Sequence, residues 1–287
     1  MTTRHYSLIK GFALATLMPL FAACSSEDDA TVPGREPQEV QVSIGTRATT
    51  DGDTWTWENN DVIGLNVTGY NGTSSSYTLT YNAQTRSWTR SEAIIVTLPG
   101  TITAWYPGDN VTTTATSFNI PGDQSTDAKL CDADYMTYSG ALNNTTPSVA
   151  LEHRLCKVAV TISGYEDYSG TPAVESEVFR SYLTVNYNND AWTGTGELTS
   201  VTPFKTESSA DGHHTYQAIV APASSYSPFM TLKVNGKDRT VNCNQALVSG
   251  NAYTFNLTVR NSDATTRSAD TSDYELELVE VRDLNEE

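Results

Sequence analysis

The chain has 287 residues, with 17 Lys and Arg against 34 Asp and Glu, a net charge of −17 and 38% hydrophobic residues. That length suits one large domain or two small ones. The acidic excess repels phosphate backbones and anionic lipid surfaces, which speaks against a nucleic-acid partner.

Residues 1–23 carry the parts of a secretory leader: Arg4, His5 and Lys10, then an apolar run from Gly11 to Ala23 that ends in small residues. The run has 13 residues, short of the roughly 20 that a spanning helix needs. Ala22-Ala23-Cys24 resembles the bacterial lipobox, in which the cysteine is acylated and becomes the first mature residue, with Phe21 where Leu is usual. Cys24 is therefore the expected lipid attachment, making a membrane the partner of the N-terminus. The plainer alternative is an ordinary signal peptide with an incidental cysteine. Removal of the leader takes Arg4 and Lys10 and leaves 15 basic residues against 34 acidic ones. Ser25-Ser26-Glu27-Asp28-Asp29 resembles the acidic signal that sends some Gram-negative lipoproteins to the outer face of the outer membrane. With Pro33, Gly34 and Pro37, residues 24–37 also read as a solvated tether.

Downstream, short alternating runs rich in Thr, Ser, Asn, Val and Tyr are separated by Gly, Pro, Asn and Asp, the pattern of antiparallel strands in a sandwich. Val40, Val42 and Ile44 alternate with Gln41 and Ser43 as a half-buried first strand. Strands follow at 61–67, along Tyr77, Leu79 and Tyr81, and at 93–98 and 101–107 around a turn at Pro99-Gly100. Within 148–162, Val149, Leu151, His153 and Leu155 share one phase, whereas Cys156, Val158, Val160 and Ile162 share the other. This predicts a bulge or a strand that crosses between sheets. Residues 164–172 read as a linker. Further apolar alternation passes through Phe179 to Tyr187, Tyr216 to Val220, Met230 to Val234, Val241 and Cys243, and Tyr253 to Val259. The expected fold class is all-β, with two antiparallel β-sandwich domains at 48–164 and 165–262. A tether and first strand (24–47) precede them, and a C-terminal extension (263–287) follows. Tyr274, Leu276 and Leu278 in that extension alternate with Glu275 and Glu277, and a strand at the end of a chain needs a partner sheet.

The segments WTWENNDVIGLNV (55–67), AWYP (104–107), LEHRLCKVAVTI (151–162) and VSGNAYTFNLTV (248–259) resemble, in order, the landmarks of fimbrillin-like proteins. These are the type V pilus subunits and their accessory or tip proteins. The resemblance implies two transthyretin-like domains, export as a surface lipoprotein, and a trypsin-like surface protease that cuts after an arginine near the first strand. Removal of that strand opens a groove, which a terminal strand of another pilus subunit fills. Here the matching bond is Arg47-Ala48, the removable strand is Val40, Val42 and Ile44, and the candidate donor is Tyr274, Leu276, Leu278, Val279 and Val281. Val279 and Val281 are out of phase with the first three, so a bulge or bend is needed. A final strand that instead pairs within its own domain would suit a tip or minor subunit.

Enzymatic chemistry is not expected. There is no G-x-S-x-G elbow and no H-E-x-x-H pair, and with 34 acids a close carboxylate pair carries no information. Asp51 with Asp53, and Asp132 with Asp134, lack the loop pattern of a calcium site. No metal or cofactor is implied. Cys131, Cys156 and Cys243 are odd in number; Cys156 reads as a core residue, and pairing of Cys131 with Cys243 is left open. The main functional rival is a monomeric surface glycan-binding lipoprotein that stacks Trp55, Trp57, Trp88, Trp105 and Trp192 on sugar rings. Core packing is the commoner fate of such residues.

Overall fold

The computed structural model describes residues 35–45, 56–108, 114–206, 213–261 and 274–285. Met1–Arg35 is one unit and Glu36–Glu287 another. In the second unit the strands of the first half are β1 (Gln38–Val40), β2 (Ser43–Ile44), β3 (Val62–Thr68), β4 (Ser74–Asn82), β5 (Ser87–Arg90), β6 (Ile94–Val96), β7 (Gly100–Tyr106), β8 (Ser117–Asn119), β9 (Met136–Leu142), β10 (Ser148–Val149) and β11 (Glu152–His153). A short helix, α1 (Asp127–Asp132), precedes β9, and Thr126 caps it by accepting from the Lys129 amide. The second half holds β12 (Cys156–Glu166), β13 (Val174–Asn188), β14 (Ala191–Val201), β15 (Phe204–Thr206), β16 (Thr215–Val220), β17 (Tyr226–Val234), β18 (Lys237–Cys243), β19 (Asn251–Arg260) and β20 (Tyr274–Asp283). The expected all-β class is what the chain adopts.

Six strands form an antiparallel sheet in the order β11-β9-β7-β3-β4-β5. Period-two burial sets its faces: in β7, Ile102, Ala104 and Tyr106 are buried, whereas Thr101, Thr103 and Trp105 are not fully so. Two separate ribbons, β1 with β6 and β2 with β10, share the core of this sheet. Val40, Ile94, Val96 and Val149 from the ribbons pack in one cluster with Ile63, Leu65, Leu79 and Ile102 from the sheet. Gly64 is required by its neighbour: a Cβ there would stand 2.2 Å from Cε2 of Trp105.

The second half is a sandwich. One sheet runs β15-β16-β12-β19-β20, the other β14-β13-β17-β18 with β8 also paired to β13. Their facing side chains form the largest cluster, which includes Val158, Val160, Phe179, Ala218, Phe229, Met230, Leu232, Phe255 and Leu257. Two hairpins close on residue pairs with φ > 0, Asn189-Asp190 and Asn235-Gly236, which is the backbone that two-residue turns between twisted strands demand.

The expected boundary and linker near residue 164 can be placed on the strands. The boundary at 164/165 falls inside β12, which is hydrogen-bonded on both sides within the second half, to β16 and to β19. Residues 164–172 therefore do not separate domains; most of them connect β12 to β13 in the facing sheet. The phase change at Leu155-Cys156 marks the crossing itself, since β11 pairs with β9 in the first sheet and β12 starts in the second. The halves are also knitted together. A third cluster joins Phe118, Leu130 and Tyr135 to Val185, Trp192 and Ile219, and β8 from the first half pairs with β13 of the second.

Phe229 is fully buried against Phe179, Tyr226 and Phe255, with ring centroids at 5.2, 5.8 and 5.8 Å. Phe229→Ala should lower the free energy of unfolding by about 3–5 kcal/mol in urea titration. Ile95→Ser, at a side chain 59% exposed, should change it by less than about 0.5 kcal/mol. Similar losses for the two variants would contradict this packing.

Candidate functional site

Residues 38–45 act as a strap with two different partners. β1 pairs antiparallel with β6, setting Gln38, Glu39 and Val40 opposite Val96, Ile95 and Ile94. After Val40 the chain changes neighbour, and β2 pairs parallel with β10, with Ser43 beside Ser148 and Ile44 beside Val149. Amides of Gln41, Ser43 and Gly45 donate to the carbonyls of Thr145, Pro147 and Val149 at 2.7, 3.0 and 3.0 Å. Among the described residues the strap is the only sheet partner of both β6 and β10.

The alternation read from the sequence is reproduced: Val40 is fully buried, Val42 and Ile44 are half-buried against the same core, and Gln41 and Ser43 face outward. What differs is continuity. Val40–Ile44 is two short strands joined by a change of partner, because β6 and β10 present their edges in opposite senses. Two side chains pin the strap from outside it. Arg90 Nη1 donates to the Val40 carbonyl at 3.1 Å, and Nη2 pairs with Glu39 Oε1 at 2.9 Å. Trp57 Nε1 donates to the Gly45 carbonyl at 3.1 Å. Sequence reasoning missed Arg90 and this role of Trp57, since neither lies near the strap in the chain and no local pattern marks them. Arg47, Ala48 and Cys24 lie outside the described residues.

The other terminus is also paired. β20 runs antiparallel to β19 from Tyr274 opposite Val259 to Asp283 opposite Asn251. The register shifts between Phe255, opposite Leu278, and Thr254, opposite Glu280, so Val279 is the extra residue of a bulge. Tyr274, Leu276 and Leu278 pack on the second core, whereas Val279 and Val281 are 55% and 47% exposed. Those two valines are thus not pegs in this pairing. Both ends of β20 are held: Arg260 joins Glu166 to Glu275, the Tyr274 hydroxyl accepts from the Asn242 amide, and Asn285 Oδ1 accepts from the His153 amide at 2.7 Å.

Comparison with known proteins decides the family. A fimbrillin-like family model matches residues 46–273. The chain belongs to the fimbrillin-like family. Its fold is similar to that of a candidate cell adhesion protein from Bacteroides ovatus, at 16% identity and a TM-score of 0.56, over 87% of this chain and 98% of that one. A candidate cell adhesion protein from Bacteroides uniformis is similar at 18% identity and a TM-score of 0.54, over 88% and 98%. A fimbrial protein from Bacteroides ovatus matches at 18% identity and a TM-score of 0.48, over 78% of this chain and 50% of that one. No curated protein matches the sequence.

In this fimbrillin-like protein the described tryptophans do not form one platform. Trp57 packs edge-on to Trp88 and Tyr106 at 5.0 and 5.4 Å, and Trp88 meets Tyr81 at 5.2 Å. Trp105 lies over Gly64, and its Nε1 is buried. Trp192 lies in the third cluster, against which Trp105 also packs, and Trp55 is outside the described residues. Cys131 and Cys243 are not joined, and burial pushes the Cys156 and Cys243 thiols above their ordinary range. His153 is a core histidine, with Nδ1 3.0 Å from Asp134 Oδ1. Among the described residues no cluster of His, Cys, Asp and Glu could hold a metal ion, and no helix is long and apolar enough to cross a membrane.

Arg90 makes one hydrogen bond to a partly buried carbonyl and one partly exposed ion pair. Arg90→Met should lower unfolding free energy by about 1–2 kcal/mol in urea titration, and Glu39→Gln by less than about 1 kcal/mol. Equal losses would show that the Val40 carbonyl contact contributes nothing.

Proposed function

We propose that the chain is a subunit of a cell-surface pilus or adhesin, exported as an outer-membrane lipoprotein through Cys24 and assembled after proteolysis at Arg47-Ala48. The supporting observation is that, among the described residues, one short strap supplies the only ladder partner of two strands, β6 and β10. Its loss would uncover Ile94, Val96 and Val149 together with a row of backbone groups in one groove. A strand from another subunit can satisfy both, by the chemistry of strand addition.

Magnitudes favour exchange over simple loss. Burial of Val40 contributes roughly 1.5–3 kcal/mol, and each backbone hydrogen bond about 1 kcal/mol net. Ordering the strap costs roughly 1–2 kcal/mol per residue. Docking is thus near balance and leans on the covalent link that keeps the strap beside its groove. Hydrolysis of the Arg47-Ala48 bond by a trypsin-like surface protease removes that link and releases the strap with the lipid.

The C-terminal strand points to the role. Tyr274 to Val281, expected as a donor, would have to leave β19 before reaching a neighbour. A subunit that accepts a strand and keeps its own suits an accessory or tip position. Trypsin treatment of the purified precursor, mixed with a strand-donating pilus subunit, should give SDS-resistant, heat-labile complexes. Arg47→Gln should abolish them. Complexes that form as well from the uncleaved variant, or none from the cleaved protein, would overturn the proposal.

A further inference from the structure

A groove of about 790 Å³ lies away from the strap, within the size range of ligand sites. Its walls come from the β13–β14 hairpin, from β9, and from the loops that follow β16 and β18. The hairpin contributes a cross-strand aromatic pair, Tyr187 opposite Trp192, with ring centroids 5.3 Å apart. Trp192 is anchored beneath by Tyr135 at 5.1 Å and is 8% exposed, whereas Tyr187 is 41% exposed. Beside them is Val248, 56% exposed. This is a rigid aromatic shelf, because Asn189 and Asp190 close the hairpin in a tight turn just above it.

The polar lining narrows the ligand class. Nine of the 19 lining residues carry hydroxyls, and among the described lining residues only Arg154 and Asp190 are charged, with opposite signs. Arg154 is held in place by Thr137, through Nε to the hydroxyl at 2.8 Å, and by Glu152 at 2.7 Å. Its charge is thereby already countered, which disfavours an anionic ligand, as does the acidic surface. A peptide strand is disfavoured too, since backbone amides along the walls are spent internally. Tyr187 donates to Thr116, Gly194 to Pro222, and Ala223 and Leu247 to each other. Recognition must come from side chains: an apolar aromatic face with hydroxyls, one carboxylate and one guanidinium at its rim. A pyranose ring matches that set, with C–H groups on one face and hydroxyls around its edge.

We infer that this groove binds a neutral glycan, with the sugar ring seated on Tyr187 and Trp192 and its hydroxyls met by Asp190 and the surrounding Ser and Thr side chains. The inference gives the surface-adhesion reading its ligand class and rests on that reading for its biological setting. Strand exchange would use the backbone edges of β6 and β10, none of which lines this groove, so the two proposals are separable.

The test is a glycan array of neutral hexose and N-acetylhexosamine oligosaccharides, with uronic- and sialic-acid glycans alongside, probed with the full chain and its strap intact. At least one neutral glycan should bind and change tryptophan fluorescence. Tyr187→Ala should weaken binding at least tenfold and Asp190→Asn several-fold, with unchanged thermal midpoints and with protease-dependent assembly intact. Binding of charged glycans alone, binding indifferent to Tyr187→Ala, or no binding at all would overturn the inference. So would a synthetic peptide of residues 274–283 that binds through Tyr187 when no glycan does. Glycan binding by a chain that fails to assemble would defeat the assembly proposal and leave this one standing.

Discussion

Two strands of the first half, β6 and β10, have no lateral partner among the described residues except the strap between residues 38 and 45. Backbone N–H and C=O groups that are buried must be paired, and β6 and β10 do not pair with each other. The strap meets both needs by changing partner midway, antiparallel to one and parallel to the next. Among the described residues, the strands that share the core of the six-stranded sheet from outside it are thus two ribbons joined through this one segment. Val40, Ile94, Val96 and Val149 lie in one cluster with the side chains of that sheet.

The second half is built on the opposite principle. β12 lies in the interior of its sheet, and β20 completes the edge with contacts at both of its ends. β8 and the Phe118–Tyr135–Trp192 cluster then tie the halves together. The first half thus depends on a short segment at its edge, whereas the second half is paired along long strands.

Much of this was legible in the residues. Alternation at Val40, Val42 and Ile44, and at Tyr274, Leu276 and Leu278, marked strands at both termini, and the phase break at Leu155-Cys156 marked a crossing between sheets. Period two is a local signal, and these features are local. Partner choice is not. Nothing in 38–45 says that the segment will divide between β6 and β10, and nothing near Arg90 or Trp57 links them to strap carbonyls 50 and 12 residues away. The segment 164–172 shows the same limit, since Gly, Ser, Asp and Pro compose a connection between two facing sheets as readily as a linker between domains. The five tryptophans looked alike in sequence, and only packing separates Trp192 and Trp105, at the third cluster, from Trp57 and Trp88, at the core of the first sheet.

Amide hydrogen exchange on the precursor before and after cleavage at Arg47 tests the central claim most directly. The account predicts that the strap's release unprotects the ladder groups of β6 and β10 together, while β12, β16 and β19 keep their protection. It also predicts that an added complementary strand restores both. Continued protection of β6 and β10 in the strapless protein, or loss at only one of them, would contradict it.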